Sequence, residues 1–387
     1  MRLSMATAAS VALAAALLAG CSTSSQGTAI PGGATQSSAA HGVGSPAHFV
    51  PLPKVMTRAQ VAQLHPSVLQ PKLQEILSHK HFSKPNFRPN KKAKVLQFIM
   101  DDGGYIWGLG KKNKLVSYAT DCSGAEGGVV DHSSRLVVAC TNSSTVNIYK
   151  KGNASGPADT VLNDTPGMYP AAAFEGSDGT IYATNLYGFS CTTYYCYFYP
   201  GNVVWWSPGN QSSGSSPSGT YTDPSMYEVY FGDVDNSGNV YIDGVRAVSY
   251  GYGADEITGI TTTAPVSTNM NIALNFPGGI YVVGPNSATP ELSVNDQGSY
   301  GSGNNALYIY SLPWPGSLLY TDHSPQNISN TCDPVAGGYN KADTQVLIGD
   351  AGCGAGDLGT FASNTWKTLL NINFSEPIDG AFQSSDK

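Results

Sequence analysis

Charged side chains are scarce in this chain, and so are the side chains on which most enzymes depend. Asp, Glu, Lys and Arg make up 12% of the 387 residues, and only 7 residues are histidines. No G-x-S-x-G nucleophile motif occurs, and the Gly-Gly pairs precede strand patterns rather than helices, which excludes phosphate-binding glycine loops. The sequence therefore carries no signature of a catalytic triad or of nucleotide binding.

Clustered positive charge is missing from most of the chain. Lys and Arg concentrate between Lys54 and Lys94, where Glu75 is the only acid, and the net charge of the whole chain is nevertheless −7. Because nucleic acids need clustered Lys and Arg on a folded surface, we expect no nucleic-acid partner. The basic segment is expected to be a solvated linker, with contact to the acidic body or to anionic headgroups as the alternative.

No hydrophobic run long enough to span a membrane opens the chain. Residues 5–18 form an Ala/Leu/Val segment after Arg2 that has the length of a signal-peptide core. The segment ends in Leu18-Ala19-Gly20-Cys21, which resembles a bacterial lipobox. The resemblance implies cleavage before Cys21 and lipidation of its thiol, which gives a membrane anchor facing the periplasm or the cell exterior. Ser22 after the cysteine implies the outer membrane if the cell has two membranes.

Four regions follow from composition. We expect a lipoprotein signal peptide (1–20), a flexible Ser/Gly/Ala-rich tether (21–50), a connector with short helical segments at 57–64 and 71–79 (51–94), and one repeat domain (95–387).

The repeat domain contains one strand pattern many times. Residues 127–149 predict three short strands separated by turns, and the middle strand recurs at intervals of about forty to sixty residues. The recurring second strands are LQFIMDD (96–102), LVVACTN (136–142), TIYATN (180–185), NVYIDG (239–244), ELSVND (291–296) and QVLIGD (345–350). Each strand before them is small or apolar, as at 127–130, 171–174, 230–234, 278–283 and 337–339. The strands predicted after them lie at 147–149, 203–206, 247–250, 307–310 and 358–361.

The first repeat has no strand pattern before its second strand. Residues 376–382 form a strand pattern that is not followed by a second strand of its own. We therefore predict an all-β, six-bladed β-propeller in which this C-terminal strand completes the first blade. An open solenoid or two stacked sandwiches are the alternatives.

The pattern of small residues, an Asp-x-x-Gly turn and then (I/L/V)-Y-(V/I/A)-x-(N/D) resembles NHL/YVTN-like propeller repeats and uncharacterised bacterial propeller lipoproteins. Relatives in that wider group include scaffolds, ligand binders, gluconolactonase-like hydrolases and a lyase.

The cysteines support an exported protein. Beside Cys21, six cysteines fall into local pairs, which in such a protein predicts disulfides. The pairs are Cys122–Cys140, Cys191–Cys196 and Cys332–Cys353.

Polar residues at the ends of the strands are the first candidate site. The residues near the ends of the second strands, with three glutamates before first strands, are predicted at the channel mouth: Asp102, Glu126, Asn142, Asn185, Glu228, Asp243, Asp296, Asp350 and Glu376. They could bind Ca²⁺ or a polyol, and the alternatives are that Asn and Asp cap turns and that the glutamates are solvated. The segment 233–238 superficially resembles a calcium loop, but Gly244 stands where that loop needs an acid, so a hairpin turn is favoured.

Aromatic residues are the second candidate. Tyr194, Tyr195, Tyr197, Tyr199, Trp205 and Trp206 lie beside the 191–196 cysteine pair. They predict either a contact surface for a protein or carbohydrate partner or packing between blades.

Together these patterns predict a lipid-anchored, extracytoplasmic binding or scaffolding platform. We expect a monomer that requires no cofactor. The alternative is a cation-dependent lactonase- or lyase-like enzyme that uses carboxylates in the central channel.

Overall fold

The structure is a computed structural model that describes residues 55–57, 90, 93–248, 251–297, 306–322, 334–350, 355–360, 365–370 and 377–383. The chain divides into two compact units. The hairpin unit comprises Met1–Pro85 and Gly188–Tyr199, and the propeller unit comprises Asn86–Tyr187 and Pro200–Lys387.

Strands dominate the described residues. In chain order they are β1 Val55–Thr57, β2 Gln97–Asp101, β3 Tyr105–Leu109, β4 Leu115–Ala119, β5 Ala125–Val130, β6 Leu136–Cys140, β7 Thr145–Tyr149, β8 Thr160–Asn163, β9 Met168–Glu175, β10 Ile181–Cys191, β11 Tyr195–Trp206, β12 Gly219–Tyr221, β13 Met226–Val234, β14 Val240–Arg246, β15 Tyr252–Thr258, β16 Val266–Asn269, β17 Pro277–Val283, β18 Glu291–Asp296, β19 Ala306–Ser311, β20 Leu318–Asp322, β21 Pro334–Tyr339, β22 Gln345–Asp350, β23 Ala355–Thr360, β24 Thr365–Leu370 and β25 Pro377–Phe382. The described helices are single 3₁₀ turns at Lys111–Asn113, Thr141–Ser143 and Pro208–Asn210, and none of them could cross a membrane.

The sheets follow chain order. Strands β5–β8, β9–β12, β13–β16 and β17–β20 each pair in sequence, and β1 joins the sheet of β9–β12 through β11. The other strands form an eight-stranded sheet in which β21–β24 and β2–β4 are joined through β25. Strand β25 pairs along β2, from Phe382 opposite Gln97 to Pro377 opposite Asp101, and touches β22 through Asp379 opposite Ile348.

The first strands of the sheets lie side by side in the propeller unit. Each of β5, β9, β13, β17 and β21 contacts the next, and β25 contacts both β21 and β5. Small residues are required there: a Cβ on Gly127 would lie 2.8 Å from Ala172 Cβ, and one on Gly279 would lie 2.9 Å from Ala336 Cβ. Apolar side chains fill the space between neighbouring sheets. The predictions of an all-β chain and of a β-propeller arrangement are confirmed.

Most predicted strands are found in place, and one is wrong. Strands β18 and β22 have the predicted bounds, but the strand predicted at 247–250 begins only at Tyr252. The chain first turns after β14, where the backbone N–H of Arg246 donates to the carbonyl of Gly251 (2.8 Å). Thr57 ends β1, and the rest of the two predicted helical segments lies outside the described residues.

The disulfide Cys122–Cys140 is confirmed. Its sulfur atoms are 2.06 Å apart, and it ties the segment before β5 to the end of β6. Cys21, Cys332 and Cys353 lie outside the described residues, and the structure describes only the backbone of Cys191 and Cys196.

Candidate functional site

The innermost strands of the propeller unit enclose a small cavity. Its volume is ≈ 30 Å³, and it is lined by β5, β9, β13, β17, β21 and β25. Because a cavity needs about 10–15 Å³ for one water molecule, this one has room for only about two. The lining residues are small or apolar apart from Asp233 and Asp379. This cavity therefore has no space for a substrate-sized ligand.

Asp379 in β25 holds the backbone at the axis. Its carboxylate accepts hydrogen bonds from the backbone N–H of Gly128 (2.8 Å) and of Gly380 (2.7 Å). Burial raises the pKa of Asp379 to about 8, and the nearby charge of Asp233 adds to this, while the two hydrogen bonds oppose it. Asp233 in turn accepts from the N–H of Val282 on β17 (2.8 Å). Both carboxyls therefore join strands of different sheets.

Asp243 has the same kind of role one strand further out. It is fully buried in β14 and accepts from the N–H of Phe231 (2.8 Å) in its own sheet and of Gly279 (3.1 Å) in the next. The N–H of Phe231 is available because the β13–β14 register shifts between Val229 and Gly232. Burial raises the pKa of Asp243 to about 7, against the effect of these hydrogen bonds. The carboxyl fixes the junction of two sheets and does not point to solvent.

Other second strands place polar side chains at comparable junctions. Thr184 in β10 accepts from Ala172 N–H (3.1 Å) and donates to the carbonyl of Tyr230 (2.7 Å), which lies in the next sheet. Asn295 in β18 donates to the carbonyl of Val335 (2.6 Å) in β21. Asp379, Thr184 and Asn295 were not predicted from the sequence, and Asp233 was considered only as part of the calcium-like segment 233–238. The sequence feature that could have predicted Asp233 and Asp379 is an Asp next to a Gly in a first strand, as at 232–233 and 379–380.

The second-strand residues that were predicted to form a ring do not occupy equivalent positions in their strands. In three repeats an Asp at the end of the second strand pairs with a proline that begins the strand beside it: Asp296 with Pro277, Asp350 with Pro334 and Asp101 with Pro377. Asp243 lies further inside its strand, where the register between β13 and β14 shifts. In the first repeat the buried aspartate is Asp101, whereas the predicted residue was Asp102.

The partners of these residues are mostly turn and loop groups. Asp296 accepts from the N–H groups of Asn275 and Phe276, and Asp101 accepts from Gly103 N–H (3.0 Å) and the indole N–H of Trp107 (3.0 Å). For Asp101 this is the capping role that was the alternative to ligand binding, whereas Asp296 holds the chain just before β17.

The other predicted members differ from one another. Asn142 is exposed in a 3₁₀ turn, whereas Asn185 is buried and donates to Asn202 Oδ1 (2.8 Å). Asp102 is half-buried, and burial, with the charge of Asp101, raises its pKa to about 7.

The predicted glutamates are buried where they are described. Burial raises the pKa of Glu228 to about 7, and Tyr230 donates to its carboxylate (2.9 Å). Burial, with the charge of Asp102, raises the pKa of Glu126. Glu376 lies outside the described residues. No group of three or more His, Cys, Asp or Glu side chains suited to a metal ion occurs in the described part of the chain.

The calcium-like segment is a hairpin turn between β13 and β14. Asp235 accepts from the backbone N–H of Ser237 (2.8 Å) and Asn239 (2.9 Å), and from the side chains of Asn239 (2.9 Å) and Tyr241 (3.1 Å). Its oxygens are thus used by the turn itself.

The aromatic residues separate into two groups. In the hairpin unit the exposed fractions are 74% for Tyr194, 47% for Tyr195, 39% for Tyr197 and 47% for Tyr199. In the propeller unit Trp206 is fully buried, with its indole N–H donating to the carbonyl of Ser215 (3.1 Å), and Trp205 packs partly buried against the core. Trp206 is therefore a core residue, and Trp205 lies at the edge of the core. The four exposed tyrosines are named here the tyrosine face.

Comparisons with known proteins support the fold and no particular function. No protein-family model and no curated protein matches the chain. A solved protein of unknown function from Bacteroides caccae is similar, with a TM-score of 0.50 and 9% identity over 75% of this chain and 99% of that one. Hydrazine synthase of Kuenenia stuttgartiensis gives a TM-score of 0.44 at 10% identity, covering 72% of this chain and 80% of that one. A chain of a nidogen/laminin complex gives 0.47 at 12%, covering 75% and 98%. At such identities the likeness concerns the β-propeller architecture.

Proposed function

We propose that the protein is a lipid-anchored, six-bladed β-propeller outside the cytoplasm, and that it serves as a binding platform for a partner at the tyrosine face. The observation that carries this proposal is the exposure of four neighbouring tyrosines in a chain whose axial cavity is too small for a substrate-sized ligand. Large exposed aromatic groups mark interaction sites in soluble domains, because water would otherwise favour their burial. The proposed function requires no cofactor.

Six closed blades are supported by the pairing of strands. The blade β2–β4 takes its innermost strand from β25, and the six first strands contact one another in sequence back to the start. Closure of this kind removes exposed sheet edges along the axis.

The location outside the cytoplasm rests on two features. Leu18-Ala19-Gly20-Cys21 has the form of a lipobox, and the Cys122–Cys140 disulfide is typical of oxidising compartments. Metabolic labelling with an alkyne-bearing fatty acid tests the anchor: the wild-type chain is expected to be labelled and membrane-bound. A Cys21→Ser variant that retains the label would contradict it.

Binding is favoured over channel catalysis because the buried carboxyls already have backbone partners. An enzyme needs acids that converge on a reacting atom with space for the substrate. Asp243 and Asp379 instead accept hydrogen bonds from the N–H groups of neighbouring strands.

Hydroxyl-radical footprinting tests whether the tyrosine face is occupied. The purified full chain and the same chain in intact cell envelopes are compared, with Leu318 (50% exposed) and Leu319 (49% exposed) as controls of similar exposure. We expect Tyr195, Tyr197 and Tyr199 to be protected several-fold in the envelope relative to the leucines. Equal labelling in both samples would rule out a platform at this face.

A further inference from the structure

The tyrosine face belongs to the longest hairpin among the described strands. Strands β10 and β11 have 11 and 12 residues, and their ends at 188–199 lie in the hairpin unit. Tyr195, Tyr197 and Tyr199 alternate along β11, so their side chains point to the same side, about 7 Å apart from one ring to the next. The result is a row of three rings along an extended strand.

The turn that ends the hairpin is fixed by hydrogen bonds. Thr192 N–H donates to the carbonyl of Tyr195 (2.7 Å), and Tyr195 N–H donates to Thr192 Oγ1 (3.1 Å). Ser190 Oγ and the Tyr199 hydroxyl are 2.8 Å apart, which holds one ring of the row in place. Rings that are ordered before binding lose little conformational entropy when a ligand arrives.

The backbone edge beside these tyrosines is already occupied. Strand β1 pairs antiparallel with β11, with Val55 opposite Tyr197 and Thr57 opposite Tyr195. A partner strand could not add to this edge without displacing β1, so a ligand has to use the side-chain face.

The segment that carries the tyrosines is neutral and rich in hydroxyl groups. From residue 179 to residue 222 the sequence contains no Asp, Glu, Lys, Arg or His. The groups available for binding are aromatic ring faces and the hydroxyls of Tyr, Ser and Thr. The tyrosine-bearing segment therefore offers no charge to a charged ligand, and the basic residues next to it in the unit are Lys54 and Arg58, which flank β1 in the sequence. Neutral sugars offer the matching chemistry, because a pyranose ring has an apolar C–H face that stacks on aromatic rings and hydroxyls at its edge.

We propose that the tyrosine face binds a neutral, extended polysaccharide, with successive sugar rings stacked along Tyr195, Tyr197 and Tyr199. The inference rests on the proposed function, since it names the ligand of the same platform. The linear row of rings fits a chain-like ligand, and the edge occupied by β1 leaves stacking as the mode of binding.

Binding of the full chain in detergent to neutral polysaccharides tests the proposal. Affinity electrophoresis in gels that contain soluble β-glucans, α-glucans or mannans, and pull-down on cellulose and chitin, are run beside the charged polymers alginate and heparin. We expect retention on at least one neutral polysaccharide and none on the charged ones. Tyr197→Ala is expected to weaken binding by about tenfold, as the loss of one stacked ring implies. Tyr197→Phe keeps the ring and should retain most of the affinity.

Two controls make the result decisive. Leu318→Ala/Leu319→Ala removes equally exposed apolar side chains and should bind like the wild type, and melting temperatures show that each variant folds. Retention that is unchanged in a Tyr195→Ala/Tyr197→Ala/Tyr199→Ala variant would overturn the proposal, as would retention on the charged polymers alone. If the tyrosines are protected in envelopes but no neutral polysaccharide binds, the glycan inference fails and the platform stands. If neither occurs, both fail.

Discussion

At the scale of single residues, buried carboxyl groups stabilise the junctions between strands in this protein. Asp243 and Asp379 accept backbone N–H groups from two strands each, in places where shifts in strand register or the approach of a neighbouring sheet leave donors without ladder partners. A buried N–H group without an acceptor is costly, so a fixed carboxyl at such a junction stabilises it.

Asp243→Ala should therefore destabilise the fold strongly. The substitution leaves the N–H groups of Phe231 and Gly279 without acceptors, and each such group costs about 1–3 kcal/mol, which predicts a loss of about 2–6 kcal/mol in the free energy of unfolding. Asp243→Asn keeps one acceptor oxygen and should lose less. Urea denaturation followed by circular dichroism measures both.

The matched control is Asp159→Ala. Asp159 lies on the surface, where it pairs with Lys150 Nζ (2.9 Å) and accepts from the exposed backbone N–H of Lys150 (2.7 Å). Because water can replace both partners, its removal should change stability by less than about 1 kcal/mol. A denaturation midpoint of Asp243→Ala equal to that of Asp159→Ala would show that the buried carboxyl does not join the two sheets.

At the scale of elements, much of the strand order could be predicted from sequence, and much of the site could not. The alternation and turn residues of 291–296 and 345–350 gave strands with the bounds of β18 and β22. The same patterns could not reveal that Asp243 and Glu228 are buried, because their burial comes from the neighbouring sheet and not from their own strand. The sequence also did not predict how long β10 and β11 are. Tyrosines fit a strand pattern both inside the core and beyond it, so they do not indicate where the strand leaves the core.

The disulfide ties two elements together and should contribute measurably to stability. Cys122 and Cys140 close a loop with a sequence separation of 18 residues. For a loop of that size the chain-entropy relation gives about 3 kcal/mol. The double variant Cys122→Ala/Cys140→Ala should thus unfold at a lower denaturant concentration without any reductant. An unchanged midpoint would mean that the crosslink does not restrict the unfolded chain.

Strand β25 can be tested by its close approach to β22. A Cβ on Gly380 would lie 2.5 Å from the carbonyl oxygen of Leu347, whereas one on Gly156 would meet nothing within 4 Å. Gly380→Val should consequently cost about 1–3 kcal/mol through overpacking, and Gly156→Ala should cost far less. Thermal melts compare the two. If Gly380→Val melts like the wild type, the residues 377–382 do not pack where the proposed closure needs them.

At the scale of the whole molecule, the buried acids couple stability to pH. Burial raises the pKa of Asp379 to about 8 and the pKa values of Asp243 and Glu228 to about 7, well above those of exposed carboxyls. Between about pH 4 and pH 8 the folded chain therefore holds protons that the unfolded chain has released. A raised carboxyl pKa contributes stability that is fully present below the unfolded value and is lost as the pH rises through the folded value.

The protein should accordingly be more stable in mild acid than in mild base. We expect the melting temperature at pH 5.5 to exceed that at pH 8.5 by about 5 °C or more, since roughly 2–4 °C corresponds to 1 kcal/mol in a domain of this size. Asp379→Asn does not titrate and can still accept one hydrogen bond, so it should reduce this difference, whereas Asp159→Ala at the surface should leave it unchanged. A melting temperature that is flat or rises between pH 5.5 and 8.5 would mean that these carboxyls are solvated, which would contradict their burial between the sheets.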